Sequence, residues 1–298
     1  MSRLALALLA VAGGCWKPDA GIRELECGEN ASFSSDGRRI AFECVENHRH
    51  KIGIADLKDG KVTWVYDGPG NACQPAWGMD GSLVFTAGNP AKTAFAGKDD
   101  DRGYNLWQWK DGDRRQLTRG KLREYCASVA SDGSVYFVSE GIKPDDGATD
   151  VYSGNRTGIG RLDPKTGTIS RVTVMKKANT GIIDPEVSPD GKRLVRAEVD
   201  GYHCPWRIVV SPLADPEQRT FLTGKDMIAY APTWSPDGRM IAFSGCRRDD
   251  DGWYVYLMPS AGGEMRRLWK GKNPSFSPDG KRLAFDCDGQ IHVQEVGK

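Results

Sequence analysis

The sequence predicts an all-β chain, a closed ring of six four-stranded blades. Three observations predict it. One ten-residue phrase recurs six times along 298 residues, its copies stand 42–58 residues apart, and no long stretch after the first residues carries the 3.6-residue period of a helix. A strand-built repeat of roughly 40–50 residues is the signature of a β-propeller with one blade per repeat.

The cleanest copy runs from Trp234 through Ser235-Pro236-Asp237-Gly238 to Phe243. Pro236 pre-sets φ for the first corner of a tight turn, and the Asp237 side chain bonds nearby backbone N–H groups. Gly238 takes the left-handed position that a Cβ resists. Met240 and Ala242 then alternate as in a strand leaving a hairpin. The other five copies place their turn aspartates at Asp36, Asp80, Asp132, Asp190 and Asp279. One Asp-Gly pair is only a turn; six with the same flanks are an architecture. The 36 glycines and 16 prolines suit it, and a net charge of +1 carries no nucleic-acid footprint, so no nucleic-acid partner is expected.

In chain order, residues 1–14 read as a targeting segment: Arg3 gives a positive start, 4–11 an apolar run, and Ala12-Gly13-Gly14 a small-residue approach to Cys15. The run is too short to span a bilayer. It resembles a bacterial lipoprotein signal, in which Cys15 becomes the lipid-modified first residue; an ordinary secretory signal is the alternative. Trp16, not an acidic residue, follows the cysteine, which in that resemblance implies the outer membrane. Residues 15–20 would be a tether, and 21–298 the propeller.

Residues 22–33 align without a gap on 265–276, with Leu25, Gly28, Asn30, Ser32 and Phe33 falling on Leu268, Gly271, Asn273, Ser275 and Phe276. The second stretch opens with the outer strand of a blade, so residues 21–26 should be an outer strand too, yet no complete blade precedes them. The sixth repeat stops at Lys298 after three strands, near 274–277, 282–287 and 290–296. The N-terminal strand therefore completes the last blade and closes the ring, leaving no raw sheet edge.

Third strands are expected near 52–57, 105–109, 158–162, 206–211 and 255–258, and fourth strands near 62–66, 114–118, 168–174, 219–223 and 264–269. The excess length of the two longest repeats falls between second and third strands, at about 87–104 and 140–156. Both insertions should emerge on the face opposite the Asp-Gly turns, and long loops on a rigid scaffold are where binding sits. Phe95, Arg102, Tyr104, Tyr152 and Arg156 are the binding candidates there, aromatic and arginine anchors of the kind that carry interface energy.

The Ser-Pro-Asp-Gly-basic phrase, the six repeats and the N-terminal closure resemble the TolB-like propeller family over about residues 20–298. The resemblance implies a periplasm-facing propeller that binds other proteins. Family members of the Tol–Pal system carry an α/β domain ahead of the propeller, for which the stretch between Cys15 and the first blade leaves no room; a Tol–Pal role is not expected.

Besides Cys15 there are seven cysteines, at 27, 44, 73, 126, 204, 246 and 287. In an oxidising compartment two or three disulfides are expected, the alternative being buried free thiols. No Cys-x-x-Cys pair, no Gly-x-Ser-x-Gly elbow and no phosphate-cradling loop appears, so no catalytic residue and no cofactor is assigned. His48, His50 and His203 are expected as solvated loop residues, His292 as a strand residue, and no metal site is assigned. The runs Asp99–Asp101, Asp145-Asp146 and Asp249–Asp251 lack the alternate spacing of a calcium loop and read as solvated charge, with Arg247 and Arg248 pairing locally. The leading expectation is a lipid-anchored scaffold that binds envelope proteins. Alternatives are a lactonase- or polysaccharide-lyase-type propeller enzyme with a pore metal, or a structural envelope component that oligomerises.

Overall fold

The computed structural model describes residues 16–19, 22–25, 28–68, 70–88, 104–119, 123–140, 157–175, 180–201 and 203–297, the first two stretches by their backbone alone. The described residues form 25 strands in six antiparallel sheets and no helix. Two strands precede the first blade, β1 (Trp16–Asp19) and β2 (Ile22–Leu25). Blade 1 is β3 (Glu29–Phe33), β4 (Arg39–Glu46), β5 (Arg49–Asp56) and β6 (Val62–Tyr66). Blade 2 is β7 (Ala72–Trp77), β8 (Leu83–Gly88), β9 (Tyr104–Lys110) and β10 (Asp113–Gln116). Blade 3 is β11 (Arg123–Val129), β12 (Val135–Glu140), β13 (Thr157–Leu162) and β14 (Ile169–Val174). Blade 4 is β15 (Thr180–Val187), β16 (Arg193–Asp200), β17 (Arg207–Pro212) and β18 (Thr220–Phe221). Blade 5 is β19 (Met227–Trp234), β20 (Met240–Arg247), β21 (Tyr254–Pro259) and β22 (Arg266–Lys270). Blade 6 begins with β23 (Lys272–Phe276), β24 (Arg282–Cys287) and β25 (Gln290–Glu295).

The ring closes as the internal alignment predicts. Strand β2 runs antiparallel to β25, with Arg23 opposite Val293, Glu24 opposite His292 and Leu25 opposite Ile291. Residues 16–19, expected within a tether, are instead strand β1, which pairs with β2 and adds a fifth strand to the last sheet.

Each Asp-Gly turn is locked by side chains. In blade 1, Ser34 Oγ donates to Asp36 Oδ1 at 2.6 Å and accepts the Arg39 N–H at 2.9 Å, and Ser188, Ser235 and Ser277 repeat this. Blades 2 and 3 have Gly78 and Ala130 at that position, and Ser82 and Ser134 beyond the turn bond Asp80 and Asp132 instead. These bonds hold the turn carboxyls below the usual range, Asp80 at about 2.

The core lies between blades. Phe42, Phe85, Phe137, Phe243 and Phe285 occupy one equivalent site on the second strands and are almost wholly buried; each such ring removed from water stabilises by about 1.5–3 kcal/mol. In blade 4 the site holds Arg196, 1% exposed. Its guanidinium donates to Glu198 Oε1 at 2.7 Å, Ser211 Oγ at 2.5 Å and the Pro216 carbonyl at 2.8 Å. A buried charge is tolerated only when paired and fully hydrogen-bonded in this way.

Candidate functional site

Every innermost strand carries a break in register, and at each break one residue is left-handed. The six are Asn30, Gln74, Cys126, Asp184, Ala231 and Asn273, with φ between 48° and 54°. Each stands six residues before its turn aspartate. A non-glycine residue in this region costs on the order of 1 kcal/mol or more, so six of them persist only because neighbours enforce the geometry.

The enforcing groups come from the preceding blade. Asn30 donates its N–H to Asp286, Gln74 to Glu43, Cys126 to Gln74 Oε1, Ala231 to Asp184 and Asn273 to Ser244. The Asp184 N–H goes to the Cys126 sulfur. The amides Asn273 Nδ2 and Asn30 Nδ2 in turn donate to Asp286 and Glu43, both at 2.8 Å. A continuous circuit of polar contacts therefore stitches the six blades around the axis.

Within this ring runs a channel of about 530 Å³, lined from all six inner strands. Among the described residues its lining includes Asp184 and Glu186 and no Lys, Arg or His. Both carboxyls keep some surface open to the channel, yet they are enclosed by the ring. Desolvation therefore pushes them upward, Glu186 to about 7, despite the N–H it accepts from Trp234. Asp286, beside the channel, is raised to about 6 by burial, with Lys272 at 3.7 Å working against the shift. The channel is acidic, and Glu186 titrates near neutrality.

At the end of the channel opposite the Asp-Gly turns, a side pocket of about 460 Å³ opens between blades 1, 2 and 3. Glu43, only 4% exposed, accepts a 2.5 Å hydrogen bond from His50 Nδ1, which raises the imidazole above its usual value. The His50 N–H reaches Asn71 Oδ1. Burial and the charge of Glu43 push the Cys73 thiol upward, so it stays protonated. Tyr104 and Glu140, which also line the pocket, bound the two long insertions: β9 starts at Tyr104 and β12 ends at Glu140.

Of the binding residues expected from sequence, Tyr104 is thus placed in the pocket wall. Phe95, Arg102, Tyr152, Arg156, Cys15 and the segment 1–14 lie outside the described residues. His50 is not the solvated loop residue expected: strand β5 begins one residue earlier, and Glu43 from β4 holds the ring. His48 is exposed in the β4–β5 turn, and His292 stacks on Phe285. Asp250 and Asp251 form ion pairs with Arg267 and Lys270 of β22, and Asp250 also accepts the backbone N–H of Arg247. The expectation of two or three disulfides is corrected. Cys73, Cys126, Cys204, Cys246 and Cys287 are free thiols, and Cys44 is disulfide-bonded to a partner outside the described residues. These free cysteines are spread over blades 2 to 6, one to a blade. Among the described residues no group of three or more His, Cys, Asp or Glu is arranged to hold a metal ion.

No protein-family model matches the chain. Among curated proteins it is 30% identical over 181 residues to the Tol-Pal system protein TolB of Francisella tularensis, covering 45% of this chain and 41% of that protein. It is 31% identical over 122 residues to the uncharacterized peptidase YuxL of Bacillus subtilis, covering 36% and 17%. The chain spans less than half the length of these relatives. Among solved structures, TolB of Acinetobacter baumannii superposes with a TM-score of 0.64 at 20% identity, over 87% of this chain and 64% of that one. A putative TolB of Agrobacterium tumefaciens gives 0.63 at 18% identity, over 92% and 91%. The chain folds as a six-bladed β-propeller similar to these. An oligogalacturonate lyase of Vibrio parahaemolyticus shares the fold as well, with a TM-score of 0.59 at 11% identity over 95% and 97% of the two chains. The ring of left-handed residues escaped the sequence reading, although its signal was there: a position six residues before each turn aspartate, followed by proline in four of the six repeats.

Proposed function

We propose that this TolB-like propeller is a lipid-anchored scaffold of the bacterial cell envelope, held by Cys15 in the outer membrane and facing the periplasm, that binds envelope proteins through its long-loop face. One observation carries the reading. The two longest connections leave and re-enter the ring on adjoining blades, at Gly88 and Tyr104 and at Glu140 and Thr157, beside the mouth of an acidic channel. A closed ring is stiff, so it presents two neighbouring loops at little ordering cost. The TolB likeness supports an envelope setting, and the Ala12-Gly13-Gly14-Cys15 junction supports the anchor. The alternative, a lyase- or lactonase-type enzyme, requires metal ligands converging on the pore from several blades.

The test is crosslinking in the bacterial envelope followed by affinity capture. Shortening 89–103 and 141–156 to Gly-Ser turns should leave the ring folded and abolish the captured partners. Unchanged partners would overturn the assignment of the face. Mass spectrometry of the wild type and of Cys15→Ser tests the anchor, which fails if the wild type carries no acyl chain.

A further inference from the structure

The ring assigns each blade a task, and Thr86 stands outside it. The second-strand residues opposite the ring are Glu43, Thr86, Val138, Ala197, Ser244 and Asp286. Glu43, Ser244 and Asp286 each accept the N–H of the next blade's left-handed residue. Thr86 does not, because Gln74 Oε1 already receives the Cys126 N–H at 2.8 Å. Thr86 is fully buried and lines the side pocket, and its hydroxyl has no hydrogen-bond partner among the described residues. Such a group costs about 1–3 kcal/mol. The fold does not demand it, since blade 3 places the near-isosteric Val138 at the same site.

The charges around Thr86 are already matched. His50 faces Glu43 at 2.5 Å, and Arg123 stands 3.8 Å from Glu140. Glu43 Oε1 is committed to His50, and its Oε2 to Asn30 Nδ2 and the Gln74 N–H. An ionic ligand therefore meets no unmatched charge. The pocket is lined by neutral or paired hydrogen-bonding residues with two phenol rings: Thr86, Asn71, His50, Tyr104 and Tyr125. Rings that cover C–H faces, with planar polar groups that bridge neighbouring hydroxyls, are the chemistry of sugar recognition. The volume lies at the small end of the range for ligand sites.

We propose that this pocket between blades 1, 2 and 3 binds a saccharide, with the Thr86 hydroxyl and His50 as hydrogen-bonding partners and Tyr104 as the ring platform. The inference goes beyond the scaffold reading and stands without it.

The test titrates the full chain, by ligand-observed NMR, with N-acetylglucosamine, N-acetylmuramic acid, glucose, galactose and galacturonate, and with arginine amide as a cationic peptide-like probe. At least one sugar should bind at millimolar concentration or better. Thr86→Val should weaken that sugar three- to tenfold while leaving Tm equal or higher, because a buried unpaired hydroxyl is exchanged for a methyl. Tyr104→Ala should abolish binding with the ring still folded. The proposal is overturned if no sugar binds, if only arginine amide binds, if Thr86→Val leaves sugar affinity unchanged, or if it lowers Tm, which would give the hydroxyl a structural role.

Discussion

Asp184 in blade 4 accepts, through Oδ2, a 2.9 Å hydrogen bond from the backbone N–H of Ala231 in blade 5. Both residues are left-handed, with φ of 52° and 48°. The contact joins two blades and holds an alanine in a conformation it does not favour. Asp184→Ala should strand that N–H and cost about 1–3 kcal/mol, whereas Asp184→Asn, which keeps an acceptor, should cost less. Ala231→Gly should be neutral or stabilising, because glycine takes this φ without a steric penalty. Urea unfolding of the three variants checks the order. Equal losses for the alanine and asparagine variants would remove the hydrogen bond from the account.

Glu186 makes stability depend on pH. Its carboxyl titrates near 4.5 when unfolded and at about 7 in the ring, where desolvation dominates. The folded chain thus holds a proton that the unfolded chain releases, and rising pH between these values favours unfolding until the penalty is complete above about 7. Asp286, raised from 3.8 to about 6, adds in the same direction. The turn aspartates shift the opposite way and act only near pH 4 and below. Thermal melts from pH 5 to 8 should show falling stability in the wild type and a flatter profile in Glu186→Gln, with the variant more stable at pH 8. A wild-type Tm that does not fall over this range contradicts the assignment.

Arg196 fills a phenylalanine site at the cost of a buried ion pair with Glu198, whose other oxygen accepts from Arg219 at 3.1 Å. Removing Glu198 leaves the buried Arg196 charge uncompensated, so Glu198→Ala should cost about 3–5 kcal/mol, whereas Arg196→Ala leaves Glu198 paired with Arg219 and should cost less. Arg196→Phe combined with Glu198→Leu should recover most of that loss, since a phenylalanine occupies the site in the five other blades. Denaturant midpoints of the two single variants and the pair decide it. A pair as unstable as its singles would show that blade 4 cannot accept the apolar packing.

The architecture was legible because its signals are local. A turn such as Asp237-Gly238 declares itself within four residues, and the pairing of residues 22–25 with the last blade showed in a gapless internal alignment. The site was less legible because its partners are distant in sequence. Gln74 and Cys126 touch across 52 residues, and Asn30 and Asp286 across 256. The left-handed positions are occupied by Asn, Gln, Cys, Asp and Ala, since the bulge is a backbone feature that neighbouring blades enforce. Arg196 reads in isolation as an ordinary strand arginine. Only its place in the phenylalanine column marks it as buried, and only Glu198, Ser211 and Pro216 explain why it is tolerated.

The closing strand gives the last prediction. Strand β25 pairs on one side with β24 and on the other with β2, through three opposed residue pairs. Deleting residues 16–26 strips that second side and leaves a row of unpaired N–H and C=O groups, an edge prone to association. Three lost cross-strand pairs at about 0.2–1 kcal/mol each, plus the exposed edge over buried Ile291 and Val293, should cost roughly 2–3 kcal/mol. Deleting 16–19 alone removes only β1, which pairs with β2, and should cost far less. The same antiparallel pairing can be built as an ordinary hairpin by moving residues 22–27 to follow Lys298, which returns the strand to β25 without crossing the ring. This permuted chain should regain most of the lost Tm and stay monomeric in size-exclusion chromatography. If it melts no higher than the truncated chain, the loss came from something other than strand pairing, and the N-terminal strand does not close the ring energetically.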